Sequence, residues 1–173
     1  MKKLLLLLAA VLVASAAFAQ KSIVGITFGF KYQGDELYYK VTSDATSSSA
    51  GTVAVTSCVQ SASLSGTVTI PNEVKHKGKT YKVTALEKNA IVRDHNITKI
   101  VVTGNIKNIP SGAFSYLPEL TTIYCESGVE TCSTSAFVDC PKLKTVSVSS
   151  TFDKSHFDNT KFEGCPKAKV VRR

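Results

Sequence analysis

Apolar positions in the C-terminal half of the chain recur with a period too long for any single helix or strand. Taking Ala90, Ala113, Ala136 and Lys161 as one position gives spacings of 23, 23 and 25 residues. One residue later stand Ile91, Phe114, Phe137 and Phe162; seven later, Ile97, Leu120, Leu143 and Ala168. Ten later come Ile100, Ile123, Val146 and Val171, and twelve later Val102, Cys125 and Val148. Upstream of the same position, Leu86, Ile109, Cys132 and Phe157 form a column, as do Val83, Ile106 and Val129. Such self-similarity marks a repeat architecture. One unit has too few apolar side chains to offset the ordering of its own backbone, so copies must stack and bury each column against its counterpart next door.

Within each copy the end of the unit, as in Leu120, Ile123 and Cys125, has period 2 and predicts a short strand. Neighbouring copies would pair these into a narrow parallel sheet. The small-aromatic segment, followed by Pro118, Pro141 or Pro166, predicts a tight helical or 3₁₀ turn on the opposite side. Residues alternating with the apolar columns would face outward. They are Lys99, Val101 and Thr103; Thr122, Tyr124 and Glu126; Thr145, Ser147 and Ser149; and Val170 and Arg172. Tyr124 and Val101, set among hydroxyls and opposite charges, make this face the candidate binding surface, with an ordinary sheet surface of β-forming residues as the alternative.

Upstream, "ELYYKVTSD" and "GTVAVTSCV" flank the polar loop "DATSSSAG", and a hairpin follows with Lys77-Gly78 at its turn. These strands read as an antiparallel β region capping the first repeat. Before them, "MKKLLLLLAAVLVASAAFA" has the basic, apolar and small-x-small parts of a secretory signal, with cleavage before Gln20. Its apolar run is shorter than the roughly 20 residues of a membrane span. The expected organisation is a leader at 1–19, a capping region at 20–82 and about four repeats at 83–173, with no transmembrane segment after processing.

Composition alters this little. Removing Lys2 and Lys3 takes the net charge from +8 to +6, 19 basic against 13 acidic residues. That favours acidic partners at long range. The charges are scattered and no nucleic-acid recognition motif is present, so nucleic acid is not an expected partner.

The segments "VTIPNEVKHKGKTYKVTALEKNAI", "IPSGAFSYLPELTTI" and "SAFVDCPKLKTV" resemble the BspA-like class of bacterial leucine-rich repeat proteins. The resemblance implies a leucine-rich repeat solenoid, and together with the leader it implies export to the periplasm, surface or exterior of a bacterium. It also implies a non-catalytic role in adhesion to host proteins or other bacteria, and with the basic charge the expected ligand is a protein or glycan, host matrix and mucin included. A spacer or assembly unit without a ligand of its own is the alternative, and oligomeric state stays open. Cys140 and Cys165 fall in the family's cysteine column, while Cys125 and Cys132 stand in for aliphatic residues.

These four cysteines read as buried, reduced thiols. A disulfide between Cys140 and Cys165 is the competing reading, set against the parallel side-chain vectors of strands about 4.8 Å apart. Cys58 is left open. His76, His95 and His156 are dispersed without metal-ligand spacing, so no metal or cofactor is expected. No G-x-S-x-G, H-E-x-x-H or phosphate-binding glycine loop occurs, and no enzyme is expected. The basic run "KHKGKTYK" reads as a solvated hairpin tip, with a glycan contact as its alternative.

Overall fold

The structure, a computed structural model, describes residues 21–57, 64–103, 105–126, 128–133, 135–152 and 162–173. The expected leader, Cys58, His156, Phe157 and Lys161 lie outside the described residues.

The N-terminal region forms β1 (Thr27–Tyr32), β2 (Asp35–Ser43) and β3 (Gly51–Thr56). After β4 (Gly66–Ile70) come β5 (Glu73–His76) and β6 (Lys79–Leu86). Two hairpins share one turn chemistry. Gln33-Gly34 and Lys77-Gly78 both hold positive φ at two successive residues, which matches the twist of tightly joined antiparallel strands. The sheet order is β1-β2-β3-β6-β5. It departs from the expected all-antiparallel arrangement, because β3 and β6 pair in parallel. Between them the chain crosses to the repeat sheet to lay down β4 and returns running in the direction of β3.

The repeats contribute β7 (Ile91–Val92), β8 (Ile97–Val102), β9 (Asn108–Ile109), β10 (Phe114–Ser115) and β11 (Thr122–Cys125). They continue with β12 (Thr131–Cys132), β13 (Phe137–Val138), β14 (Thr145–Val148) and β15 (Lys169–Arg172). A parallel sheet of order β15-β14-β11-β8-β4 forms one wall, β13-β10-β7 a second, and β12-β9 a third. The wall has five rungs rather than four, because "GTVTI", assigned by pattern to the N-terminal region, pairs with β8.

The small-aromatic turns are not helical: no helix occurs among the described residues. Phe114 pairs in register with Ile91 and Phe137. Arg93, Tyr116, Asp139 and Gly164, three residues after the repeating position, adopt left-handed backbone, which forbids a right-handed helix and, at the first three, ends β7, β10 and β13. A β-turn follows, with proline at its second position. Leu120, Leu143 and Ala168 donate their N–H to the carbonyls of Leu117, Cys140 and Cys165.

The three walls enclose one apolar core that runs without interruption from Phe28 in β1 to Cys165. The Phe114 and Phe137 rings stack with centroids 6.0 Å apart, and Phe162 continues the column at 5.4 Å. Ile100, Ile123 and Val146 are likewise paired in register and buried. Ion pairs across the 23-residue period, Lys107–Glu130 at 2.6 Å and Lys142–Glu119 at 2.7 Å, decorate the outside.

Candidate binding face

The outward side of the five-stranded wall is built by alternation against the core columns. One row comprises Thr67, Lys99, Thr122, Thr145 and Lys169; the next, Thr69, Val101, Tyr124, Ser147 and Val171. Lys99, Val101, Thr103, Thr122, Tyr124, Glu126 and Thr145 are half-buried, as side chains lying on a sheet surface should be. Ser147 is more deeply covered, at 9% exposure.

The last rung differs from the expectation. Thr145 faces Lys169 and Val146 faces Val170, a register offset of 24 rather than 25. Val170 therefore packs against the core, and Val171, expected inside, is 47% exposed. Arg172 takes a core-column position at the edge instead of the outward one, and its Nη2 donates to the Phe152 carbonyl at 2.9 Å. A one-residue slip exchanges the faces of an entire strand.

That slip delivers Arg173 to the outward face. Its guanidinium lies 3.8 Å from the Tyr124 ring centroid, Nε donates to Ser147 Oγ at 3.1 Å, and Nη2 donates to the Cys125 carbonyl. The Lys99 ammonium sits 5.6 Å from the same centroid. Both distances suit cation–π attraction. One tyrosine thus holds two cations at the centre of the face. Pattern alone does not place Arg173 on this face, because "KVVRR" offers two adjacent valines and two adjacent arginines and alternation fits either register equally well.

The cysteines lie behind this face or deeper. Cys125, Cys132, Cys140 and Cys165 are free thiols, all buried. Burial pushes the Cys125 thiol up to about 12, with nearby Arg173 acting in the opposite sense. Cys132 is raised by burial, and Cys140 by its hydrogen bond to the Cys165 thiol and by burial. The Cys140 N–H also donates to Cys165 Sγ at 3.3 Å. Thiolates are disfavoured at Cys125, Cys132 and Cys140, as a packing role requires and a nucleophilic one does not.

The basic hairpin tip stands apart. His76 stacks on Phe28 at 4.1 Å between centroids, which fixes the tip to the sheet. Lys75, Lys77 and Lys82 are exposed, while Lys79 donates to the Ala45 carbonyl at 3.1 Å. An open cleft between this tip and the serine-rich loop is lined by Thr46, Ser47, Ser49, Lys79 and Thr80. Among the described residues no three His, Cys, Asp or Glu side chains converge to hold a metal, and no helix is long and apolar enough to cross a membrane.

Comparison with known proteins places this geometry. Residues 67–169 match the family model described as BspA type leucine rich repeat region, in six copies. No curated protein matches the chain. Among solved structures, the fold is similar to that of a leucine-rich repeat protein from Bacteroides capillosus ATCC 29799, at 18% identity and a TM-score of 0.60. That match covers 83% of this chain and 98% of the other. The pneumococcal vaccine antigen PcpA is similar at the same identity and TM-score, over 86% of this chain. The chain corresponds to 38% of the length of that antigen.

Proposed function

The chain belongs to the BspA-type leucine-rich repeat family, and on that premise we propose that it is an exported, non-catalytic binding protein of the bacterial surface or exterior. Its ligand, a protein or glycan, is taken up on the outward face of the five-stranded wall. The observation that carries this reading is the cluster of Lys99, Tyr124 and Arg173 at the centre of that face, on strands held rigid by a continuous core. A rigid frame keeps the entropic cost of binding low. The N-terminal sheet serves in this reading as the cap of the first repeat, since its apolar side chains join the same core.

Screening the mature chain against arrays of matrix proteins, mucins and glycans tests the proposal. Tyr124→Ala combined with Lys99→Ala should lower capture of whatever ligand is found and leave the melting temperature nearly unchanged. An assembly role is the second reading, favoured by the exposed Val171 on edge strand β15. A blank array together with concentration-dependent sedimentation would shift the assignment to assembly.

A further inference from the structure

We propose that the outward face recognises an acidic glycan, with the Lys99–Tyr124–Arg173 cluster at its centre. The inference rests on the reading of this face as the binding surface and supplies the ligand class. Lys99 and Arg173 meet at the Tyr124 ring and Lys169 stands in the row of Lys99 on the edge strand, while Glu126 is the acidic side chain among the described outward residues of the wall. None of these three cations forms an ion pair among the described residues, where the pairs are Lys40–Glu87, Lys107–Glu130 and Lys142–Glu119.

The cations are also positioned in advance. Tyr124 fixes the two charges no further apart than the sum of their distances to its centroid, about 9 Å. Arg173 uses two of its five N–H donors, on Ser147 and Cys125, and keeps the others for an anion. Around this pair the face presents hydroxyls at regular strand spacing, from Thr67, Thr69, Thr122 and Thr145. Hydroxyls both donate and accept, which suits sugar hydroxyls.

A peptide ligand is a poorer fit. Peptide recognition draws most of its affinity from apolar anchors entering pockets. Here the ring of Tyr124 is already covered by Arg173, and the other apolar side chains of its row are the two valines Val101 and Val171. The face of the sheet also offers side chains rather than the backbone edge that an added strand would need.

The test measures binding of the mature chain to a heparin oligosaccharide, an oligogalacturonate, neutral dextran and poly-glutamate, at low and high salt. Sulfated and carboxylated glycans serve as separate arms for the two sources of glycan charge. At least one should bind, more weakly at high salt, while dextran does not. Arg173→Gln and Lys99→Gln should each weaken that binding about tenfold, the loss of one charge-assisted contact. Arg173→Lys should restore only part of it, since an ammonium replaces the planar fork. Lys77→Gln, at the hairpin tip, should leave it unchanged.

If Lys77→Gln abolishes binding and Arg173→Gln does not, the site is the hairpin, and both this inference and the face reading fall. Tighter binding of poly-glutamate with the same dependence on Arg173 would overturn the glycan class and keep the face. Losses under twofold for every variant would reduce the effect to net charge and overturn the inference, as would failure of both acidic glycans to bind.

Discussion

Truncating Phe137 to alanine removes a fully buried ring that stacks on Phe114 at 6.0 Å and on Phe162 at 5.4 Å, so one substitution interrupts a column running through three repeats. A buried Phe→Ala change costs about 3–5 kcal/mol through lost transfer energy and the cavity left behind. The two ring pairs account for about 1–3 kcal/mol of that. With a urea m-value of about 2 kcal/mol/M, the unfolding midpoint should fall by about 1.5–2.5 M. The protein has no tryptophan, so far-UV circular dichroism is the appropriate probe. Because the backbone ladder and the core join each repeat to its neighbours, amide exchange should accelerate first in β14 and β15 and last in β8. Val171→Ala, at a residue 47% exposed, is the control and should stay within about 0.5 kcal/mol of wild type. A midpoint shift for Phe137→Ala no larger than that of Val171→Ala would refute the continuous column, and with it the reasoning that makes the sheet face rigid.

Val170→Ala should cost more than Val171→Ala in the same assay, because the last rung turns Val170 toward the core; the reverse order would restore the register expected from the sequence. Gly164→Ala should lower the melting temperature by several degrees, for Gly164 has φ +70° and an added Cβ would lie 2.8 Å from the Asp139 Cα and N; an unchanged melting temperature would argue against that turn. Glu87 accepts from the Thr56 hydroxyl at 2.6 Å and pairs with Lys40 at 2.9 Å, and these bonds hold its carboxyl below the ordinary 4.5. Its contribution is therefore present above pH 4.5 and lost as pH falls through the lower folded value, so the stability deficit of Glu87→Gln should be full at pH 7 and close on acidification below 4.5. A deficit independent of pH would assign the effect to packing. Mass-spectrometric mapping of alkylation at pH 8 should find Cys125, Cys132, Cys140 and Cys165 protected in the native protein and modified together in denaturant; Cys140 and Cys165 alone resisting alkylation after unfolding, until a reductant is added, would reveal a disulfide between them.

The repeat was legible in the sequence because stacking constrains each apolar column separately. Ile100, Ile123 and Val146 have to be apolar whatever surrounds them, and their spacing alone places them side by side. The same alternation located Lys99, Tyr124 and Thr122 on the outward face. Elsewhere the pattern was degenerate or depended on partners distant in the chain. Phe114 and Phe137 are apolar in a turn or in a strand, and it is the left-handed backbone at Tyr116 and Asp139 that selects short parallel ladders over helix. "GTVTI" reads as a strand in either sheet, and its pairing with β8 settled which.

Local alternation thus determined the repeat, its core columns and most of the candidate face, because side-chain character at period 2 and near period 23 is written into the chain itself. Tertiary structure decided the parallel crossover from β3 to β6, the absence of helix among the described residues, and the register of β15. Register is a relation between two strands. Where "KVVRR" fits two alignments, only the hydrogen bonds to β14 and the ring of Tyr124 distinguish them, and those place Arg173 at the centre of the face.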